Sequence, residues 1–117
     1  MWGINVGLDF RVFRGSDARF GGVGTAPNKG RRHVFYTGRV QGVGFRYTTR
    51  SIASGYAISG FVRNLSDGRV ELMVEGENAE LERFLSDLGE RMNDYIRDTE
   101  VLKSSATGEF GEFEIRF

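Results

Sequence analysis

From Arg31 to Val40 apolar and polar positions alternate, with Val34, Tyr36, Gly38 and Val40 on one side. That two-residue period predicts a half-buried strand. A glycine-containing segment, Gln41 to Gly44, interrupts it. Phe45, Thr49, Ile52, Ala53 and Tyr56 then recur at helical spacing, and Gly55 marks the end of that helix. Ala57 to Leu65 reads as a second strand. Ser66-Asp67-Gly68-Arg69 is a hairpin turn, since Asp-Gly suits the left-handed conformations of tight turns. Val70, Leu72 and Val74 alternate with charged or longer residues in a third strand. Asn78 is expected to cap the next helix, whose apolar stripe is Leu81, Phe84, Leu85, Leu88 and Met92. Thr99 to Ser105 forms a further strand, and Phe113, Ile115 and Phe117 alternate in a last one.

The resulting order is βαββαβ with an extra short strand near the end. Both helices place one apolar stripe against one face of a sheet. The expected fold class is α+β, a ferredoxin-like two-layer sandwich with an antiparallel sheet and two helices on one face.

Residues 1–30 break this regularity. They hold seven of the 17 glycines and the only proline, Pro27. Trp2 to Val12 alternates briefly, as a short strand would, and Gly15 to Gly30 has the composition of a linker. Gly21-Gly22-Val23-Gly24 is no phosphate loop, because no strand and helix flank it. The expected division is a flexible or disordered N-terminal extension over 1–30 and one domain over 31–117.

Composition narrows the chemistry. There is no cysteine, so disulfides, thiolate nucleophiles and cysteine-based zinc sites are excluded. His33 is the only histidine and falls on the first strand, where a surface position explains it. No apolar run approaches the roughly 20 residues of a membrane-spanning helix, and the charged N-terminus lacks the apolar core of a secretory signal. A cytoplasmic setting follows as the expectation.

The zero net charge hides a segregation. Arg31 to Ser66 contains six arginines and no acid, whereas Asp67 to Phe117 contains fourteen acids and six bases. Such a distribution focuses an anion on the basic segment, or the two halves neutralise each other across a shared surface.

Gly38-Arg39-Val40-Gln41-Gly42-Val43-Gly44-Phe45-Arg46 is where chemistry concentrates. A strand ends, glycines allow a tight turn, and a helix begins, an arrangement that gathers free N–H groups in a small space. A cation such as Arg46 in the first helical turn opposes the macrodipole unless an anion binds there. A bound phosphate would reverse that sign and suit the planar guanidinium fork. A plain strand-to-helix turn with an exposed arginine is the competing explanation.

This segment resembles the first signature of the acylphosphatase family. Gly60-Phe61-Val62-Arg63-Asn64-Leu65-Ser66-Asp67-Gly68-Arg69-Val70-Glu71 resembles the second, in the family's order. The resemblance covers about residues 31–117. It implies a phosphate-binding loop at Gln41, Gly42, Val43, Gly44 and Phe45, a catalytic arginine at Arg46, and a catalytic asparagine at Asn64 that positions water. The implied reaction is hydrolysis of a carboxyl-phosphate anhydride to carboxylate and inorganic phosphate by direct water attack, with no metal and no cofactor. The implied partner is a small-molecule acyl phosphate, with inorganic phosphate as product; a monomer with no membrane partner is the separate expectation. One departure is that the Gly-Pro frequent after the second helix in the family is here Gly89-Glu90, so the helix or its connection is expected to be longer.

The alternative is a non-catalytic module binding a phosphorylated ligand, or RNA through strand aromatics such as Phe35, Tyr36 and Phe61. The ribonucleoprotein-type aromatic motif is absent, and the acidic second half repels phosphate backbones, so nucleic acid is disfavoured as a partner.

Overall fold

The structure, a computed structural model, describes residues 28–117. The short strand expected within Trp2 to Val12, and the expected linker as far as residue 27, lie outside the described residues; Lys29 and Gly30, assigned to the extension by composition, instead pair in the first strand of the sheet. Strand β1 spans Lys29–Gly38, helix α1 Phe45–Ala53, β2 Ile58–Asn64, β3 Val70–Glu77, helix α2 Asn78–Arg91, β4 Ile96–Ser105 and β5 Phe113–Arg116. The two-layer α+β sandwich is thus as the periodicity predicts.

The sheet has the order β4-β1-β3-β2-β5. β1 runs antiparallel to both β3 and β4, and β2 antiparallel to β3. The expectation of a wholly antiparallel sheet is corrected at one edge, where β5 pairs with β2 in parallel. The reason is topological: β4 ends beside Gly30, at the end of the sheet where β2 begins. The chain crosses that end and enters the opposite edge in the direction of β2.

The core is the predicted alternation closed by the predicted helical stripes. Val34, Tyr36, Val62, Val70, Leu72 and Val74 of the sheet meet Phe45, Ile52 and Ala53 of α1 and Leu81, Phe84 and Leu88 of α2. Each large apolar side chain so covered contributes roughly 1.5–3 kcal/mol. The hydroxyl of Thr49, buried in the same stripe, donates to the Phe45 carbonyl at 2.7 Å and so leaves no unmet donor.

Two local expectations change. Glu77, not Asn78, precedes the first turn of α2 and contributes no side-chain cap. The Asn78 side chain instead accepts from Arg32 Nη2 at 3.3 Å. Arg32 is buried and forms a two-pronged contact to Glu82 Oε2 at 2.9 and 3.1 Å, so Asn78 helps to solvate a cation under the sheet. After α2, Gly89 lies inside the helix, Met92 is buried at its end, and β4 begins at Ile96, three residues before the predicted start.

Candidate active site

β1, β2 and β5 all end at the same end of the sheet. Tyr36 and Asn64 both stand opposite Val70, and Arg63 stands opposite Arg116. The loop after β1 and the turn after β2 therefore share one region.

The loop is pinned from below and open above. Val40 and Phe45 are buried, Val43 packs against the core, and the Phe45 ring lies 5.0 Å from that of Tyr36. Gly42 and Gly44 lie between these anchors with φ of 78° and 80°, a left-handed conformation that costs residues with a Cβ about 1–2 kcal/mol. A Cβ at either glycine would meet nothing within 4 Å. Gly44 caps α1 without a side chain, and the first turn contains no acid. The amides at the start of α1 thus have no side-chain cap and stand at the positive end of the helix dipole.

The charge segregation resolves in both of the ways it allowed. Three arginines of the acid-free segment meet carboxylates of the second half: Arg31 with Glu75 at 2.7 Å, Arg32 with Glu82 at 2.9 Å, and Arg63 with Glu71 at 2.5 Å. Arg39, Arg46 and Arg50 have no carboxylate partner among the described residues; each instead lies over an aromatic ring. The Arg46 guanidinium sits 4.8 Å from the centre of the Phe117 ring. In the sequence nothing marks Phe117 as a site neighbour, because its only signal there is strand alternation.

Asn64 is the last residue of β2. Its Oδ1 is buried and has no hydrogen-bond partner among the described residues. A buried acceptor left without a donor is uncommon in a folded protein. The side chain of Gln41, by contrast, is engaged: Nε2 donates to the carbonyls of Leu65 at 2.8 Å and Arg69 at 2.9 Å. Loop, arginine and asparagine therefore converge on one end of the sheet.

The opposite, helix-free face of the sheet is internally neutralised. His33 Nε2 and Glu71 Oε2 are 2.7 Å apart. Partial burial acts to raise the Glu71 carboxyl, but hydrogen bonds from His33 and Arg63 outweigh it and hold it below the ordinary carboxylate range. Of the aromatics considered for RNA binding, Tyr36 is buried in the core, and Phe35 and Phe61 are overlain by arginines of the same chain.

A ferredoxin-like sandwich that brings a glycine loop without a side-chain cap, Arg46 and Asn64 to one end of its sheet defines a class of small α+β proteins. The family model for acylphosphatase matches residues 32–115. An acylphosphatase from Haloarcula marismortui is 46% identical over 90 residues, which cover 74% of this chain and 96% of that one. Among solved structures, the acylphosphatase from Bacillus subtilis superposes with a TM-score of 0.68 at 30% identity, covering 75% of this chain and 99% of that one. Full-length HypF, in a phosphate- and nucleotide-bound form, gives 0.67 at 32% identity, covering 80% of this chain but 12% of that one. The chain belongs to the acylphosphatase family, and acylphosphatase activity is the function that this membership supports.

Proposed function

We propose that the chain hydrolyses acyl phosphates at this end of the sheet, with the Gln41–Phe45 loop and Arg46 holding the phosphoryl group and Asn64 placing the attacking water. The observation that carries the reading is electrostatic. Arg46 stands at the positive end of α1, and among the described residues no carboxylate neutralises either. A dianionic phosphoryl group supplies the missing negative charge.

In this reading the loop amides and Arg46 stabilise the equatorial oxygens as the bond to the acyl oxygen loosens. The side-chain amide of Asn64 hydrogen-bonds the water and aims its oxygen at phosphorus. The P–O bond to the acyl group breaks, its electron pair leaves with the carboxylate, and the water oxygen becomes the fourth oxygen of phosphate. The proton that the water gives up passes to a phosphoryl oxygen, so a dianionic acyl phosphate and water become a carboxylate and dihydrogen phosphate. Asn64 does not ionise and acts by placement, which suffices because a carboxylate leaves readily. All the parts come from one chain, which fits a monomer. Among the described residues no helix is long and apolar enough to cross a membrane, and a cytoplasmic enzyme is the setting we propose.

The test is hydrolysis of benzoyl phosphate by the wild type, Arg46→Ala and Asn64→Ala. Each variant should lose about 10²–10³-fold in kcat, the scale set by loss of one preorganised transition-state contact. Arg46→Ala should also weaken competitive inhibition by inorganic phosphate, whereas Asn64→Ala should leave it within a few fold. Wild-type turnover no faster than that of either variant would overturn the assignment.

A further inference from the structure

Two halves of the proposed site come from separate stretches of chain, and one side chain joins them. Gln41 lies in the loop; Leu65 and Arg69 lie 24 and 28 residues further on, in the turn after β2. The two carbonyls it reaches already close that turn: Leu65 O accepts from the Gly68 amide at 3.1 Å, and Arg69 O from the Leu65 amide at 2.8 Å. The single nitrogen Nε2 adds its two hydrogens to this converging pair. Glutamine suits the task because it offers two donors on one atom and does not ionise.

Asn64 directly precedes this clamped turn and stands opposite Val70, which directly follows it. The loop has other anchors, since Val40 and Phe45 are buried in the core. The tip of the hairpin is exposed from Ser66 to Gly68 and lacks comparable packing. Breaking the contact therefore leaves the cradle and the β2 ladder in place and loosens the turn that follows Asn64.

We infer that the Gln41 side chain is a positioning residue, a latch that sets Asn64 at its working distance from the phosphate loop instead of contacting the phosphate itself. The inference rests on the hydrolytic reading given above. The geometric sensitivity of such a site is steep: a shift of about 1 Å costs on the order of 100-fold in rate.

The experiment compares the wild type with Gln41→Met, which keeps length and removes both donors, using benzoyl phosphate as substrate and inorganic phosphate as inhibitor. The latch predicts kcat lowered by about 10–100-fold with the inhibition constant of phosphate within about threefold of wild type. In an Asn64→Ala background, Gln41→Met should have no further effect on kcat; fully additive losses would overturn the inference. A weakened phosphate affinity with unchanged kcat would overturn it in favour of direct contact, as would kcat and affinity both left unchanged.

Gln41→Glu supplies a readout that loss of folding does not imitate. Its carboxylate faces two carbonyl oxygens, which disfavour the charged form and raise its pKa; once protonated it regains one donor. Its kcat relative to wild type should rise as pH falls from 7 to 4.5, and a flat ratio would overturn the latch. A wild-type protein without turnover would remove the proposed function itself, and this role with it. Wild-type turnover with an unaffected Gln41→Met removes the latch alone.

Discussion

Acidification should loosen the end of the sheet opposite the proposed site, and Glu75 is the group through which it acts. The Glu75 carboxylate accepts from Arg31 Nε at 2.7 Å, from the Thr107 amide at 3.0 Å and hydroxyl at 2.9 Å, and from the Gly108 amide at 2.9 Å. Burial acts to raise its pKa, but the two amides, Arg31 and the Thr107 hydroxyl prevail and hold it at about 2, against an ordinary 4.5. A group depressed in the folded state stabilises fully above its unfolded pKa and loses that contribution as pH falls toward its folded pKa. The gap between the two values is worth roughly 3 kcal/mol, lost progressively below about pH 4.5. Glu109, which shares Arg31 and Thr107, would blur the reading, so both proteins compared should carry Glu109→Gln. Urea midpoints of this protein with and without Glu75→Gln, measured from pH 7 to pH 2.5, isolate Glu75. Their stability difference should be constant above about pH 5.5 and shrink by roughly 2–3 kcal/mol by pH 2.5. Two stability curves that stay parallel across that range would refute the reasoning.

A Cβ at Gly60 would stand 1.9 Å from the Met73 carbonyl oxygen and 2.8 Å from its carbon, both backbone atoms of the neighbouring strand. Gly60→Ala should therefore destabilise by more than about 4 kcal/mol or prevent folding. Gly68→Ala, also at positive φ (97°) but with open space around its Cβ, should cost about 1–2 kcal/mol; equal thermal melts would contradict the contrast. Inorganic phosphate at about 100 times its dissociation constant should stabilise the wild type by about 2.7 kcal/mol, and Arg46→Ala should lose most of that at the same concentration. Differential scanning fluorimetry decides this, and an unmoved wild-type Tm would count against the cradle.

The sequence by itself determined much of the architecture. Period-two runs at Val34–Tyr36 and Val70–Val74 and the helical stripes at Phe45–Ala53 and Leu81–Leu88 are local patterns, and each closed on the same core. Asp67-Gly68 formed its turn for reasons contained in the turn. The loop from Gly38 to Arg46 was legible because glycines at a strand-to-helix junction and a misplaced cation are local anomalies. Tertiary structure alone decided what depends on distant chain segments. It placed β5 parallel to β2, because the route across the sheet is set by where β4 ends. It separated arginines that meet a carboxylate, Arg31, Arg32 and Arg63, from Arg46, which meets Phe117. It turned Gln41 toward carbonyls 24 and 28 residues away and left Asn64 Oδ1 without a donor among the described residues. Periodicity reports which face of an element is buried; which polar groups find partners is fixed only when the elements meet, because a hydrogen bond requires two groups within about 3 Å.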